Sequence, residues 1–322
     1  MHQISDCTIT DTTLNSLIER FVPHSDVYYF EDDQILRMLL RDGIAVYTHE
    51  EFSSSFPTFA LEYGSLYKIW TLEIPKQSYV ALVHASQLGN LCPEVRRKLL
   101  TQQIECGRGH VYDNDWFSEF EQPQTNTITV DGKWYYLLTS EDWWEFAPQI
   151  RTRWVLKWLR EWRKDEPTGS VKFVGDHDGV PYDLIEEYSG TFTDKSGPNC
   201  FAAAIAMVVG GGATQNRQQS RVLISQWLHQ EPFFRLLNEQ GYVKVAECRL
   251  MGDLSLVQPS DVLVWYTGDG VAGHAAFAVS NKLIFQKHGQ GWDSPWQVLR
   301  IEDVWYNEYL KTGGRIAVYR NK

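Results

Sequence analysis

Two residues in the second half of the chain, Cys200 and His274, have the types and order that nucleophilic catalysis needs. Cys200 follows Ser196-Gly197-Pro198-Asn199 and opens the apolar run Phe201-Ala202-Ala203-Ala204-Ile205-Ala206-Met207-Val208-Val209. The thiolate is the reactive form of cysteine, and the first turn of a helix favours it through unpaired N–H groups and the positive end of the dipole. An imidazole must accept the thiol proton, and a third polar group must orient that imidazole. His274, in Gly273-His274-Ala275-Ala276-Phe277-Ala278-Val279, supplies the imidazole, and its small neighbours leave room beside the ring. The chemistry is acyl transfer: thiolate attack on an amide carbonyl, return of the proton to the leaving amine, then hydrolysis. The backbone N–H of Cys200 is the natural first oxyanion donor. The competing reading is a small core cysteine and a satisfied strand histidine.

These residues need a helix and a sheet to hold them. Asn199 is the expected N-cap, and Gly210-Gly211-Gly212 end the helix. A helix apolar on every side is a buried one. Strands are expected at Tyr242–Val245, Val262–Tyr266, His274–Val279, Leu283–Lys287 and Arg315–Tyr319, with Ser280-Asn281-Lys282 as a tight turn. Alternation along Leu283–Lys287 puts Ile284, Gln286 and His288 on one face. Gln286 or His288 is then placed to orient His274, and Asp293, beyond Gly289 and Gly291, is a third candidate. Helical stretches at 220–228 and 231–240 precede the strands, so the class is α+β, with the cysteine-bearing helix packed on an antiparallel sheet.

At this point the sequence resembles a family. Tyr188-Ser189-Gly190 before Cys200, the strand led by Gln258-Pro259-Ser260-Asp261, and the hairpin from Gly273-His274 to Gln286 are similar to the NlpC-type cell-wall cysteine peptidase superfamily. The likeness covers about residues 180–320. It implies a papain-like domain, a cysteine peptidase or amidase activity, and a Cys200–His274–Gln286 triad with Tyr188 and Asn199 in support. The implied substrate is a peptide or amide, including cell-wall fragments, and no metal or organic cofactor is implied. Two positions depart from the family pattern: Cys200 is followed by Phe201-Ala202 rather than Ser-Gly, and Gln286 stands where histidine is common. The run Gly197-Pro198-Asn199-Cys200-Phe201-Ala202-Ala203-Ala204 is also similar to bacteriocin-processing peptidases and to permuted acyltransferases; the latter carry Asn-Cys with a histidine before the cysteine, as His177 precedes Cys200 here. Acyl transfer to another acceptor and a catalytically inactive binding module remain alternatives.

Residues 1–165 carry 24 acids and 16 bases, so most of the formal net charge of −11 lies here. That balance argues against nucleic acid as a partner. The hairpin Thr127–Val130, Asp131-Gly132, Lys133–Leu138 is the clearest local signal, since Asp-Gly supplies positive φ angles. A helix is expected at 33–41, and strands at 65–74 and 79–83. Over 151–164, Trp154, Trp158 and Trp162 recur every four residues with Val155 and Leu159, which predicts a stripe facing the core rather than a membrane-surface helix. Asp165–Ser170 reads as a linker between an α+β domain at 1–165, of substrate- or partner-selecting role, and the hydrolase domain at 170–322. Asp176-His177-Asp178-Gly179 reads as a turn rather than a metal site. Five scattered cysteines and the lack of a leader or spanning segment predict a soluble, cytoplasmic chain.

Overall fold

The computed structural model describes residues 1–56, 78–105, 109–117, 119–120, 127–163, 177–212, 216–248, 251–305 and 315–322. The expected strand at 65–74 and the linker at 165–170 lie outside the described residues. The class is α+β, and two compact units are present: Met1–Leu14 with Lys157–Lys322, and Asn15–Leu156. The boundary differs from the expected one. The first residues belong with the C-terminal unit because the hairpin β1 (His2–Ile4) and β2 (Cys7–Ile9) bridges Thr8 to Thr191, and the Thr8 N–H donates to the Gly190 carbonyl at 2.7 Å.

After α1 (Asp11–Arg20), the Asn15–Leu156 unit is built on two three-stranded antiparallel sheets. β3 (Ser25–Phe30), α2 (Asp33–Arg41), β4 (Ala45–Thr48), α3 (His49–Ser55) and β5 (Tyr79–His84) form the first part, with β5 between β3 and β4. α4 (Ala85–Asn90), α5 (Pro93–Glu105), β6 (Val111–Asp113), α6 (Asn114–Phe117), β7 (Thr127–Val130) and β8 (Lys133–Leu137) follow. Asp131 and Gly132 turn the β7–β8 hairpin at φ 50° and 75°. Both sheets share one core, in which Leu39, Ala81, Leu99 and Leu137 are buried. α7 (Ser140–Glu145) precedes α8 (Pro148–Trp162), whose Trp154 is fully buried. Trp158 and Trp162 stack on each other at 5.6 Å.

The second unit continues with α9 (Tyr182–Tyr188), α10 (Cys200–Gly211), α11 (Arg217–Leu223) and α12 (Gln230–Glu239). α10 is buried from Cys200 through Gly210. An added Cβ on Gly211 would run into the Gly179 carbonyl, so the helix end is packed too closely for any side chain. β9 (Tyr242–Cys248), β10 (Val262–Tyr266), β11 (Ala272–Ala278), β12 (Leu283–Lys287), β13 (Trp296–Arg300) and β14 (Arg315–Asn321) form a six-stranded sheet in the order β13-β12-β11-β10-β14-β9. Every pairing is antiparallel. β13 was not expected from the sequence, and the helix expected at 220–228 ends earlier, at Leu223. Asp261, in the motif leading β10, accepts both Arg320 nitrogens at 2.7 Å and so clamps β14 to the start of β10.

Strand alternation divides the sheet into two buried faces. Val264, Ala275, Phe277, Phe285 and Trp296 pack with α10 and α12. Leu263, Trp265, Ala276, Ile284 and Leu299 pack on the other side with Leu254, Ile301 and Trp305. Which face a side chain occupies decides what it can meet.

Candidate active site

Cys200 is the first residue of α10, as its sequence context predicts. Asn199 is extended, and its Oδ1 accepts the Ala202 N–H at 3.1 Å while its carbonyl accepts the Ala203 N–H at 3.0 Å. Asn199 Nδ2 donates to the Leu228 carbonyl at 2.8 Å, so the cap is held from both sides. The N–H groups of Cys200 and Phe201 take no acceptor among the described residues. Cys200 is buried, with 7% of the residue exposed, at the N-terminal end of the helix.

The loop after β12 lies against this end. The Gly197 N–H donates to the Gln290 carbonyl at 2.8 Å, and the Trp292 N–H to Ser196 Oγ at 3.3 Å. Lys287, the last residue of β12, pairs in register with Trp296 and shares the face of Phe285, which is the α10 face. Its side chain is fully buried, and Nζ donates to the Gly289 and Gly291 carbonyls, both at 2.6 Å. Asp293, 4% exposed, folds back over Gly291, where any Cβ would run into its carboxylate. Burial pulls the Lys287 ammonium well below the ordinary lysine range; the Asp293 carboxylate and then the Cys200 thiol act against that shift. Tyr188 is on this side too: its ring meets Trp296 edge-on at 5.2 Å. Burial raises its hydroxyl above the usual tyrosine range, with Glu187 adding and Arg221 opposing.

His274 and Gln286 are brought together, with His274 Nε2 donating to Gln286 Oε1 at 2.5 Å. They lie on the other face. The extra residue Gly273 bulges β11, so His274 stands directly opposite Trp265 and meets its ring at 5.2 Å. His274 is 1% and Gln286 2% exposed, in the layer built on Trp265 and Ile284. His288 flanks the pair, with its ring centroid 6.2 Å from that of His274. By strand parity His274 shares the face of Trp265 and Ala276, whereas Ala275, Phe277 and Phe285 belong to the core cluster that contains Cys200. Ala275 and Phe277 turn to α10, so His274 and Ala276 cannot.

Of the remaining candidates, Asp293 joins the Cys200 side and His288 the His274 side. His177 opens the turn to Val180, with the Val180 N–H on its carbonyl at 3.1 Å. Lys287 was missed because a lysine closing Leu283-Ile284-Phe285-Gln286 reads as a solvated strand end. The signal that finds it is the same alternation that groups it with Phe285. Comparison with protein-family models, curated proteins and solved structures finds no match.

Proposed function

We propose that the chain is a cysteine hydrolase, of peptidase or amidase type, that cleaves an amide bond through Cys200 in a papain-like domain. The observation that carries this reading is the placement of Cys200 at the capped start of a buried helix, with two backbone N–H groups there taking no protein acceptor among the described residues. The thiolate forms a bond to the substrate carbonyl carbon, and the carbonyl oxygen takes the negative charge. The Cys200 and Phe201 N–H groups stabilise that oxyanion. Collapse of the adduct breaks the C–N bond and expels the amine, which takes up the proton that the thiol lost; water then cleaves the thioester, releasing the acid and returning a proton to sulfur. A peptide, including a cell-wall fragment, is the substrate class that the NlpC-type resemblance supports. No helix among the described residues is long and apolar enough to cross a membrane.

The test is a Cys200→Ser variant assayed for peptide hydrolysis and for iodoacetamide labelling of the tryptic peptide 196–217. Loss of turnover in a folded variant is expected, and full remaining turnover overturns the reading. One observation favours a second reading, a papain-like binding module without catalysis: by strand parity the histidine implied by the resemblance shares the face of Trp265 rather than that of Ala275 and Phe277. In that case wild-type Cys200 alkylates no faster than a free thiol.

A further inference from the structure

The Cys200 face contains an ionisable pair that the resemblance does not include. Lys287 and Asp293 are both buried, and the loop that joins them is hydrogen-bonded to residues 196 and 197, a few positions before the thiol. A buried ammonium persists only when its donors and its charge are answered. Two of its three N–H donors serve the Gly289 and Gly291 carbonyls. Cys200 and Asp293 are the acidic groups that act on it.

We propose that Lys287, held on the α10 face by the Gly289 and Gly291 carbonyls, is the positioning residue whose ammonium favours the Cys200 thiolate. The proposal rests on the reading of Cys200 as nucleophile. The Cys200 S–H bond breaks, sulfur keeps the electron pair, and the proton leaves to water, while the Lys287 ammonium keeps its three protons and answers the new negative charge. Burial brings the lysine down to about 7, and the Asp293 carboxylate and a charge on Cys200 act in the opposite direction. Asp293 favours the ammonium and therefore the ion pair. Around Lys287, α10 contributes Cys200, its own loop contributes Asp293 and half-buried His288, and β13 contributes Trp296, opposite it in register.

The experiment is the rate of iodoacetamide labelling of Cys200 in the full chain from pH 5 to 9, read by mass on the 196–217 peptide. Lys287→Met should slow labelling at pH 7 about tenfold and move the profile towards that of a free thiol. Lys287→Met with Asp293→Asn leaves no buried unpaired charge, so it controls for folding and should show the same slow profile. Lys287→Arg, which keeps the cation, should label faster than Lys287→Met. His274→Ala should match the wild type. Wild-type labelling rates in both methionine variants, or slow labelling in His274→Ala instead, overturns the proposal. A folded wild type that never labels at Cys200 removes the nucleophile reading itself, and this inference with it.

Discussion

The two faces of the C-terminal sheet each bury a polar pair, and they do so by different chemistry. On the far face, His274 Nε2 donates to Gln286 Oε1 at 2.5 Å, in the layer built on Trp265 and Ile284. On the α10 face, Lys287 is a charged group answered by backbone carbonyls and by Asp293, at the end of the sheet where the Cys200 loop attaches. A neutral hydrogen-bonded pair costs little to bury and specifies packing. A buried ion pair costs several kcal/mol of desolvation and is weak evidence for stability alone. The expensive arrangement lies beside the thiol. The comparison teaches that burial and hydrogen bonding do not mark the reactive side; the uncompensated cost does.

The largest effect should come from breaking the charged pair. Lys287→Ala leaves the Gly289 and Gly291 carbonyls without their donor and removes the cation that Asp293 acts on, a loss of about 2–5 kcal/mol. Urea denaturation at pH 7 checks it, and adding Asp293→Asn should recover most of the loss. If Lys287→Ala is neutral, the two faces do not differ in the way described. The pH dependence has a fixed sign. Burial lowers the Lys287 pKa on folding, so the unfolded chain binds more protons between the folded value and the ordinary value of 10.5. Its contribution to stability therefore rises with pH through that window. Cys7, whose thiol burial pushes up to about 12, has the opposite sign above pH 9. The difference between wild type and Lys287→Met isolates the lysine: it should move in favour of the wild type from pH 7 to 10.

A smaller effect is expected on the far face. His274→Ala removes the donor from the buried Gln286 carbonyl and should cost about 1–3 kcal/mol. Labelling of Cys200 should not change. A catalytic histidine would behave in reverse, with little loss in denaturant midpoint and a large loss of reactivity. That outcome would erase the distinction between the faces.

Much of this was legible in the residues. Pro198-Asn199-Cys200 fixes a helix start by turn and cap chemistry, and an all-apolar run fixes its burial. Those are local effects. Strand alternation also places His274 with Ala276 and Ala278, and Gln286 with Ile284, and their pairing follows. What the spacing does not contain is which parity turns to α10. That choice is made by bulk: Phe277 and Phe285 fill the space under the alanine-rich helix, while Trp265 fills the other side. Gly273 adds one residue to β11 at the bulge, which puts His274 opposite Trp265. Residues 1–14 group with residues 157–322 through the Thr8–Thr191 bridge, a contact between residues too distant in sequence for any local pattern to announce.

The smallest effect sharpens the claim about charge at Cys200. Asn199 caps α10 through Oδ1 and ties it to Leu228 through Nδ2. Asn199→Ala loses both and should cost about 1 kcal/mol, with 2 as the upper end. Asn199→Asp keeps an acceptor for the Ala202 N–H and adds a carboxylate at the positive end of the helix, worth about 0.3–1 kcal/mol. Its stability should therefore stay near that of the wild type, even without the Leu228 bond. Reactivity should run the other way. A fixed negative charge one residue from the thiol opposes formation of a second, so Asn199→Asp should alkylate at pH 7 more slowly than Asn199→Ala. Stability and labelling then rank the two variants in opposite orders, which cap strength alone cannot produce. If Asn199→Asp labels as fast as the wild type, no negative charge develops at the first turn of α10, and the asymmetry between the faces is one of packing only.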